Sequence, residues 1–418
     1  MKKVLVVESS TSLGLFQMGE IRQKLHYPVQ HVKSQSELDS LLQSHAEDFF
    51  AAVVDLTLSD SSYAEALKKV IAYKIPPIVY SHDDAGELHS KMQQYDIVDF
   101  VAKNERENYD YILRLLKFIY EYGKSKILIV DDSVTARLQI AHAVKAVGFE
   151  VFEASSGDEA LMLLEKHSDI IFITMDKEMP GMNGYDTIRN IRRGYDLSKV
   201  NILGVSSSHD KYESVNFIKH GANDFIYKPF LTEELLLRVM TNIELISSLK
   251  MANERATRDF MTKLHNRKYV FEDGLVEYKS AVKHGRNVIL CMLDIDHFKK
   301  INDTYGHDIG DKVITTLADI LKSSTNPRDL VARFGGEEFC VVLKNINQYS
   351  AQDIFERLKE ETQNFSYKIK DGESLNFTIS IGALVFNEEE SLEDNINEAD
   401  MLLYKAKNEG RNRVIFVN

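Results

Sequence analysis

Residues 126–133 read Lys-Ile-Leu-Ile-Val-Asp-Asp-Ser, an apolar run that ends abruptly in two carboxylates. Four aliphatic side chains in a row, bounded by charge, suit a strand buried on both faces, the habit of a parallel sheet. A near copy, Lys3-Val-Leu-Val-Val-Glu8, stands 123 residues earlier, and three further landmarks repeat at almost the same distance. Ala51-Ala-Val-Val-Asp55 corresponds to Ile171-Phe-Ile-Thr-Met-Asp176, 121 residues on. Ile78-Val-Tyr-Ser81 corresponds to Leu203-Gly-Val-Ser206, and Asp99-Phe-Val-Ala-Lys103 to Asp224-Phe-Ile-Tyr-Lys228, each 125 on. The near-constant offset predicts two tandem copies of one fold, about 120 residues each. In the second copy apolar runs fall at 126–130, 149–154, 170–175, 200–205 and 224–227, with amphipathic stretches between them, such as those beginning at Val134 and Gly157. Short buried strands alternating with helices predict a doubly wound α/β sheet, the flavodoxin-like (βα)5 arrangement, in each copy.

The chain has 418 residues, enough for about three domains. With 44% hydrophobic and 28% charged residues it has a globular composition, which excludes wholesale disorder. A net charge of −13 argues against nucleic acid or an anionic membrane as the main partner, and suits carboxylate clusters that hold metal ions. Cys291 and Cys340 are the only cysteines, too few for a disulfide framework or a zinc site, and read as small core residues. No apolar stretch approaches the ~18 residues of a membrane span, and Glu8 cuts the opening run short of a secretory signal. A cytoplasmic protein is expected.

In a doubly wound sheet, ligands sit beyond the carboxyl ends of the strands. Asp131 and Asp132 end the first strand of the second copy, Asp176 the third, Ser206 the fourth and Lys228 the fifth. One such residue would read as a solvated strand end; five at equivalent ends converge on one site. Crowded carboxylates repel and need a divalent cation, and an all-oxygen set suits Mg²⁺. A lysine and a hydroxyl beside it would receive phosphoryl oxygens. Together with Asp176-Lys-Glu-Met-Pro-Gly-Met-Asn-Gly184 and Lys228-Pro229, these residues resemble the receiver domain of two-component response regulators. The resemblance implies that Asp176 is phosphorylated by a histidine kinase or phosphotransfer protein. It also implies that Asp131, Asp132, Asp176 and the Glu178 carbonyl hold one Mg²⁺, and that Ser206 and Phe225 report phosphorylation beside Lys228.

The first copy departs from this pattern. Glu8-Ser9 replaces the acidic pair, Asn104 rather than proline follows Lys103, and the segment after Asp55 lacks Met-Pro-Gly. Ser9 brings no charge to a metal. Residues 1–122 are therefore expected to be a degenerate receiver that serves as a packing adaptor, with phosphorylation of Asp55 as the competing expectation. Residues 123–246 are the expected phosphoacceptor domain.

No glycine or proline interrupts Leu231 to Leu264. Val239, Asn242, Ile246, Leu249, Asn253 and Ala256 recur at alternating spacings of three and four, a coiled-coil seam. Up to about Ile246 this is expected to be the last receiver helix. Residues 247–258 are expected to protrude as a linker and pair with a second copy, giving a homodimer through receivers and helix.

Val288-Ile-Leu-Cys-Met-Leu runs into Asp294-Ile-Asp296, and Leu330-Val-Ala-Arg-Phe-Gly-Gly-Glu-Glu-Phe-Cys-Val-Val-Leu343 reads as a hairpin turning at Gly335-Gly336, where positive φ is expected. Glu337 and Glu338 then stand at the tip, a better place for metal ligands than for structural carboxylates. Beside a strand ending at Asp294, they would form the cluster that two-metal phosphoryl or nucleotidyl transfer requires.

Four blocks stand in order: Asp259-Phe-Met-Thr-Lys-Leu-His-Asn-Arg267, Asp294-Ile-Asp-His-Phe-Lys-Lys-Ile-Asn-Asp-Thr-Tyr-Gly-His-Asp-Ile-Gly-Asp311, Gly335-Gly-Glu-Glu-Phe339, and Ala399-Asp-Met-Leu-Leu-Tyr-Lys-Ala-Lys-Asn-Glu-Gly-Arg-Asn412. Over residues 259–418 they resemble the GGDEF family of diguanylate cyclases, which has an α+β palm-like fold. The whole layout resembles the PleD type of response regulator. The resemblance implies that two such domains, face to face, condense two GTP to cyclic di-GMP and pyrophosphate. Two Mg²⁺ or Mn²⁺ ions would lie on Asp294, the Ile295 carbonyl and Glu337, with Glu338 as base for the 3′-hydroxyl. Lys299, Lys407 and Arg411 would meet the triphosphate, and Phe298 would lie in the phosphate-wrapping turn. Asn302 and Asp311 would read guanine, with His307 shaping that pocket. Family members with product feedback carry Arg-x-x-Asp nine residues before the first signature glycine; here the segment is Asn326-Pro-Arg-Asp329, with Arg357 as a secondary contact. The rival class is a catalytically dead nucleotide-binding scaffold, which the intact carboxylates, guanine readers and lysines disfavour. An adenylyl-type cyclase is disfavoured by Asp311.

Overall fold

The computed structural model describes residues 2–82, 91–92, 94–103, 107–195, 197, 199–208, 210–274, 287–368, 374–387 and 389–417. Asn104 lies outside them. The chain divides into two compact units, Met1–Leu249 and Lys250–Asn418, and one connecting helix, Thr232–Thr257, runs from the first into the second.

The first unit holds two five-stranded parallel sheets. β1 (Lys3–Val7), β2 (Val29–Val32), β3 (Phe49–Val54), β4 (Pro77–Ser81) and β5 (Asp99–Ala102) lie in the order 2-1-3-4-5. β6 (Lys126–Val130), β7 (Glu150–Ala154), β8 (Ile170–Asp176), β9 (Asn201–Ser206) and β10 (Asp224–Tyr227) repeat it as 7-6-8-9-10. The second set follows the five apolar runs to within one residue. β6 shows why the run is unbroken: Ile127 and Ile129 enter one core, Leu128 and Val130 the core on the other face. Just past the strand ends, Ser133, Ser156 and Asn183 accept the N–H groups of Ala136, Glu159 and Asp186, so each loop turns into a helix at the edge where the site lies.

The two sheets share an apolar core. Ile112, Leu115, Leu116 and Ile119 of helix Glu107–Tyr122 cluster with Ile140 and Val144 of helix Val134–Val147, and with Leu235, Val239 and Ile243 of the connecting helix. Arg114 fastens the edge of this core, its Nε and Nη2 donating to the Glu244 carboxylate at 2.5–3.2 Å. This packing takes the first two residues out of the expected seam. Val239 is fully buried in the core, and Asn242 donates to Asp224 Oδ2 at 3.1 Å, so neither is free to face a second copy. A last receiver helix must cover its own sheet before it can leave it. Further on, Ile246 is half-buried, and Leu249, Asn253 and Ala256 are exposed.

In the second unit a six-stranded mixed sheet runs β11 (His265–Asn266), β13 (Leu330–Gly335), β14 (Glu338–Lys344), β12 (Val288–Ile295), β17 (Ile379–Val385), β18 (Val414–Val417). β15 (Tyr367–Lys368) and β16 (Ser374–Leu375) pair separately. Every residue of β12 is buried, and the strand is antiparallel to both neighbours. Helices Phe298–Tyr305, His307–Ser324 and Gln348–Asn364 pack on the face that takes Cys291 and Leu293. Helix Leu392–Asn408 covers the face that takes Leu290 and Met292. Cys291 and Cys340 are free and buried, and burial pushes the Cys340 thiol up to about 12. No helix among the described residues is long and apolar enough to cross a membrane.

Candidate functional sites

The second sheet gathers its polar strand ends. Carboxylate oxygens of Asp131, Asp132 and Asp176 all lie within 4.8 Å of one another. Lys228 Nζ reaches across from β10 and donates to Asp131 Oδ2 and Asp176 Oδ1, each at 2.6 Å. Burial raises the pKa of Asp176 above the usual carboxylate range, and the Lys228 ammonium opposes this. Burial works against the charge on Lys228 too, but hydrogen bonds to Asp131 and Asp176 hold its pKa above the ordinary value. Asp176 Oδ2 also accepts the Glu178 N–H at 2.8 Å, which folds the Glu178 segment under the site. Gly184 is needed here, because a Cβ would collide with the Asp176 carbonyl oxygen. Ser206 Oγ accepts the Ser208 N–H at 3.0 Å, and Phe225 is buried, edge-on to the Tyr227 ring. Three hard carboxylates against a single ammonium fit a divalent cation.

At the equivalent edge of the first sheet, Lys103 Nζ donates to Glu8 Oε2 and Asp55 Oδ2, each at 2.7 Å. Glu8 Oε1 accepts the Ser10 N–H at 2.9 Å, just as Asp131 Oδ1 accepts the Ser133 N–H at 2.9 Å in the second sheet. The Lys103 side chain is 2% exposed.

In the second unit, β12 pairs with β14 so that Asp294 stands opposite Glu338, and the hairpin tip is Gly336-Glu337. Lys407 Nζ lies 2.9 Å from Asp294 Oδ2. Burial pushes the Asp294 carboxyl up to about 6; Lys407 opposes the rise, while the charges of Glu337 and Glu338 add to it. Glu337 and Glu338 therefore stand close enough for their charges to act on Asp294 at one sheet end. Their oxygen donors suit a divalent ion, with Lys407 now balancing Asp294. The expected positive φ at the turn is corrected: neither Gly335 nor Gly336 lies in the left-handed region. Nor does space demand glycine, since a Cβ at Gly336 would meet nothing within 4 Å and one at Gly335 only the end of the Glu338 side chain.

The other expected ligands follow from the strand β12. Phe298 and Asn302 lie on the short helix that follows it; Phe298 is buried, and Lys299 beside it is exposed. A turn at Gly306 (φ 83°) leads to the next helix, with His307 and Asp311 exposed on its first turns. Asn302 Oδ1 is buried without a hydrogen-bond partner, and Gly310 makes room for it, as a Cβ there would collide with that oxygen. Arg411 is half-buried, just past helix Leu392–Asn408. One pair escaped the sequence reading. Arg333 donates from Nε and Nη2 to the Gly336 carbonyl at 2.9 and 2.8 Å, and from Nη1 to both Asp259 oxygens at 3.3 Å. It ties the hairpin tip to the segment that follows the connecting helix. Both residues stood in quoted blocks, but nothing in their spacing of 74 residues announces a contact.

The segment before β13 carries a different geometry. Asp329 Oδ2 accepts the Asn326 N–H at 2.8 Å and closes the turn, while Oδ1 accepts the Lys344 N–H at 2.9 Å and ties the turn to the end of β14, so both carboxylate oxygens are engaged. Arg328 and Arg357 are exposed.

Comparison with known proteins agrees with these two architectures. Residues 256–413 match the family model "Diguanylate cyclase, GGDEF domain", and residues 127–240 match "Response regulator receiver domain". Response regulator PleD of Caulobacter vibrioides is 33% identical over 302 residues, covering 69% of this chain and 65% of PleD, so the match spans slightly under two thirds of that relative. Diguanylate cyclase A of Treponema denticola is 31% identical over 348 residues, covering 76% of this chain and 91% of that protein. A solved structure described as a two-component system response regulator/GGDEF domain protein superposes with a TM-score of 0.55 at 29% identity, covering 59% of this chain and all of that one. Receivers and GGDEF cyclases generally use a divalent metal. The chain belongs to the diguanylate cyclase family, as a response regulator whose output is a GGDEF domain.

Proposed function

We propose that the chain is a phosphorylation-regulated diguanylate cyclase of the PleD type, with a degenerate receiver at 1–122, a phosphoacceptor receiver at 123–246, a linker at 247–258 and the cyclase at 259–418. The observation that carries this reading is the register that sets Asp294 opposite Glu338 beside Lys407. Each domain holds one GTP, so two chains meet face to face. Glu338 takes the proton of a 3′-hydroxyl, whose oxygen forms a bond to the α-phosphorus of the other GTP. The bond to the β-phosphate bridging oxygen breaks, and pyrophosphate leaves. The second, symmetric step closes cyclic di-GMP. Lys407, Lys299 and Arg411 meet the negative charge that grows on the triphosphate. Asn302 and Asp311 face the guanine edge; a carboxylate accepts from the N1–H and N2–H₂ donors that adenine lacks. His307 flanks that edge, and Phe298 backs the phosphate turn. Two Mg²⁺ or Mn²⁺ ions, held by Asp294, the Ile295 carbonyl and Glu337, would polarise the α-phosphate and lower the pKa of the attacking hydroxyl.

In the receiver, Asp131, Asp132, Asp176 and the Glu178 carbonyl would hold one Mg²⁺. A phosphoryl group on Asp176, from a histidine kinase or phosphotransfer protein, draws Lys228 and Ser206 to its oxygens. Phe225, already buried, is the aromatic coupled to this shift. The change favours pairing of receivers and of the exposed part of the connecting helix in a cytoplasmic homodimer. Product inhibition through Asn326, Asp329 and Arg357 is weak. The test is incubation with GTP and Mg²⁺, with and without an acyl-phosphate donor, and identification of the product by mass. Cyclic di-GMP should appear, rise with the donor, and vanish in Glu338→Ala and Asp294→Ala. Undiminished turnover in either variant would remove the mechanism.

A further inference from the structure

Beyond helix Leu392–Asn408 the chain takes three left-handed steps in a row: Gly410 (φ 119°), Arg411 (φ 63°) and Asn412 (φ 47°). For the two residues with a Cβ this conformation is disfavoured, and it persists only where the surroundings overdetermine it. One anchor is the Arg411 N–H, which donates to the Ala406 carbonyl at 3.1 Å. The other is Asp296, 4% exposed, whose Oδ2 accepts the Asn412 N–H at 3.0 Å across 116 residues of sequence. The same carboxylate is held at a fixed angle from β17 and the residue before it. Thr378 Oγ1 donates to Oδ2 and Ser380 Oγ to Oδ1, both at 2.7 Å, and Asp296 N–H donates to the Thr378 carbonyl at 2.9 Å. Among the described residues Asp296 makes no ion pair, so its buried charge is met by three neutral donors. That arrangement fixes a direction rather than neutralising a cation.

We infer that Asp296 is a positioning residue for GTP binding: it pins the strained 410–412 turn to the sheet end and so aims the Arg411 guanidinium at the triphosphate. The inference rests on the reading of Arg411 as a triphosphate ligand. A guanidinium bonds phosphate oxygens strongly only at a set angle. Released, the turn would relax toward ordinary φ values, and Arg411 would swing away from the β12 end where Asp294 and Lys407 lie.

The test is initial-rate kinetics of the full chain, activated by an acyl-phosphate donor, with GTP varied. Asp296→Ala should raise KM for GTP about tenfold, the loss of one charge-assisted contact, and change kcat far less. Arg411→Ala should show the same split, and the double variant should be no worse than Arg411→Ala alone. Asp296→Asn should restore most of the affinity. Its carboxamide oxygen still accepts the Asn412 N–H, and the Ser380 hydroxyl can turn to accept from the new amide. Thermal unfolding checks the fold. If Asp296→Ala does not fold, Thr378→Val removes one hydroxyl that sets the carboxylate angle and should raise KM in the same direction by a smaller factor. An unchanged KM in the folded Asp296 or Thr378 variant, with KM raised in Arg411→Ala, would overturn the positioning role. So would single-variant effects that multiply in the double variant. An unchanged KM in Arg411→Ala would instead remove the reading of Arg411 itself.

Discussion

The two parallel sheets of the first unit carry the same order and the same lysine at the same strand end, yet their acidic edges differ in kind. In the second, three carboxylates face one ammonium, a formal excess of two negative charges, and the Lys228 side chain keeps 21% of its surface exposed. In the first, two carboxylates face one ammonium and the Lys103 side chain keeps 2%. The excess in the second asks for a cation and leaves it a way in. Glu8 and Asp131 each accept the N–H two residues on at 2.9 Å, so that bond is common to both edges; the difference is Ser9, which stands in place of Asp132 and adds no charge. One missing carboxylate thus separates an acidic pocket with negative charge to spare from a closed internal salt bridge.

The sharpest way to break this comparison is to remove the lysines. Lys103→Ala leaves two buried carboxylates without a partner and should cost about 3–5 kcal/mol. Lys228→Ala, in Mg²⁺, should cost less than half of that, because the cation and water can meet the charges. Urea unfolding followed by circular dichroism measures both, and equal losses would erase the distinction. Next in size, Asp176→Asn should abolish activation by an acyl-phosphate donor or beryllofluoride, a coupling of about 5- to 150-fold in regulated proteins. Asp55→Asn should leave that activation in place. If Asp55→Asn blocks it instead, the roles of the two receivers are reversed.

Asp329 extends the lesson of Asp55, since a retained aspartate need not mean a retained site. One of its oxygens closes a turn and the other ties that turn to β14, and the arginine three places before it is absent. Cyclic di-GMP should therefore inhibit about ten- to a hundredfold more weakly than in an Asn326→Arg variant, the worth of one guanidinium contact. An initial-rate titration decides; sub-micromolar inhibition of the unaltered chain that vanishes in Arg328→Ala would show that the site has shifted register. The smallest effect is expected at Arg114→Ala. That pair is exposed, so its loss should cost about 0.5–1 kcal/mol and leave the Asp176-dependent activation intact.

Much of this was legible along the chain because it depends on local pattern. Unbroken aliphatic runs mark β6 to β10, and their polar ends point to Asp131, Asp132, Asp176, Ser206 and Lys228. The hairpin at Gly335 and its pairing beside Asp294 followed in the same way, although the glycines adopt no positive φ. What stayed hidden depends on tertiary partners. Val239 fits a heptad as well as it fits a core, and only the neighbouring helix Glu107–Tyr122 decides between them. Asp296 reads as one more strand-end carboxylate until Thr378, Ser380 and Asn412 arrive from elsewhere in the sequence.

The apolar core shared by the two sheets has a consequence for how the chain can be shortened. Ile112, Leu116 and Ile119 share a buried cluster with apolar surface on helix Val134–Val147 and on the connecting helix. Truncation at residue 122 would bare that surface in water, where side chains such as Val239 and Met240 favour aggregation over order. The first sheet is thus a permanent cover for its neighbour, and its bulk is needed whatever its own strand ends do.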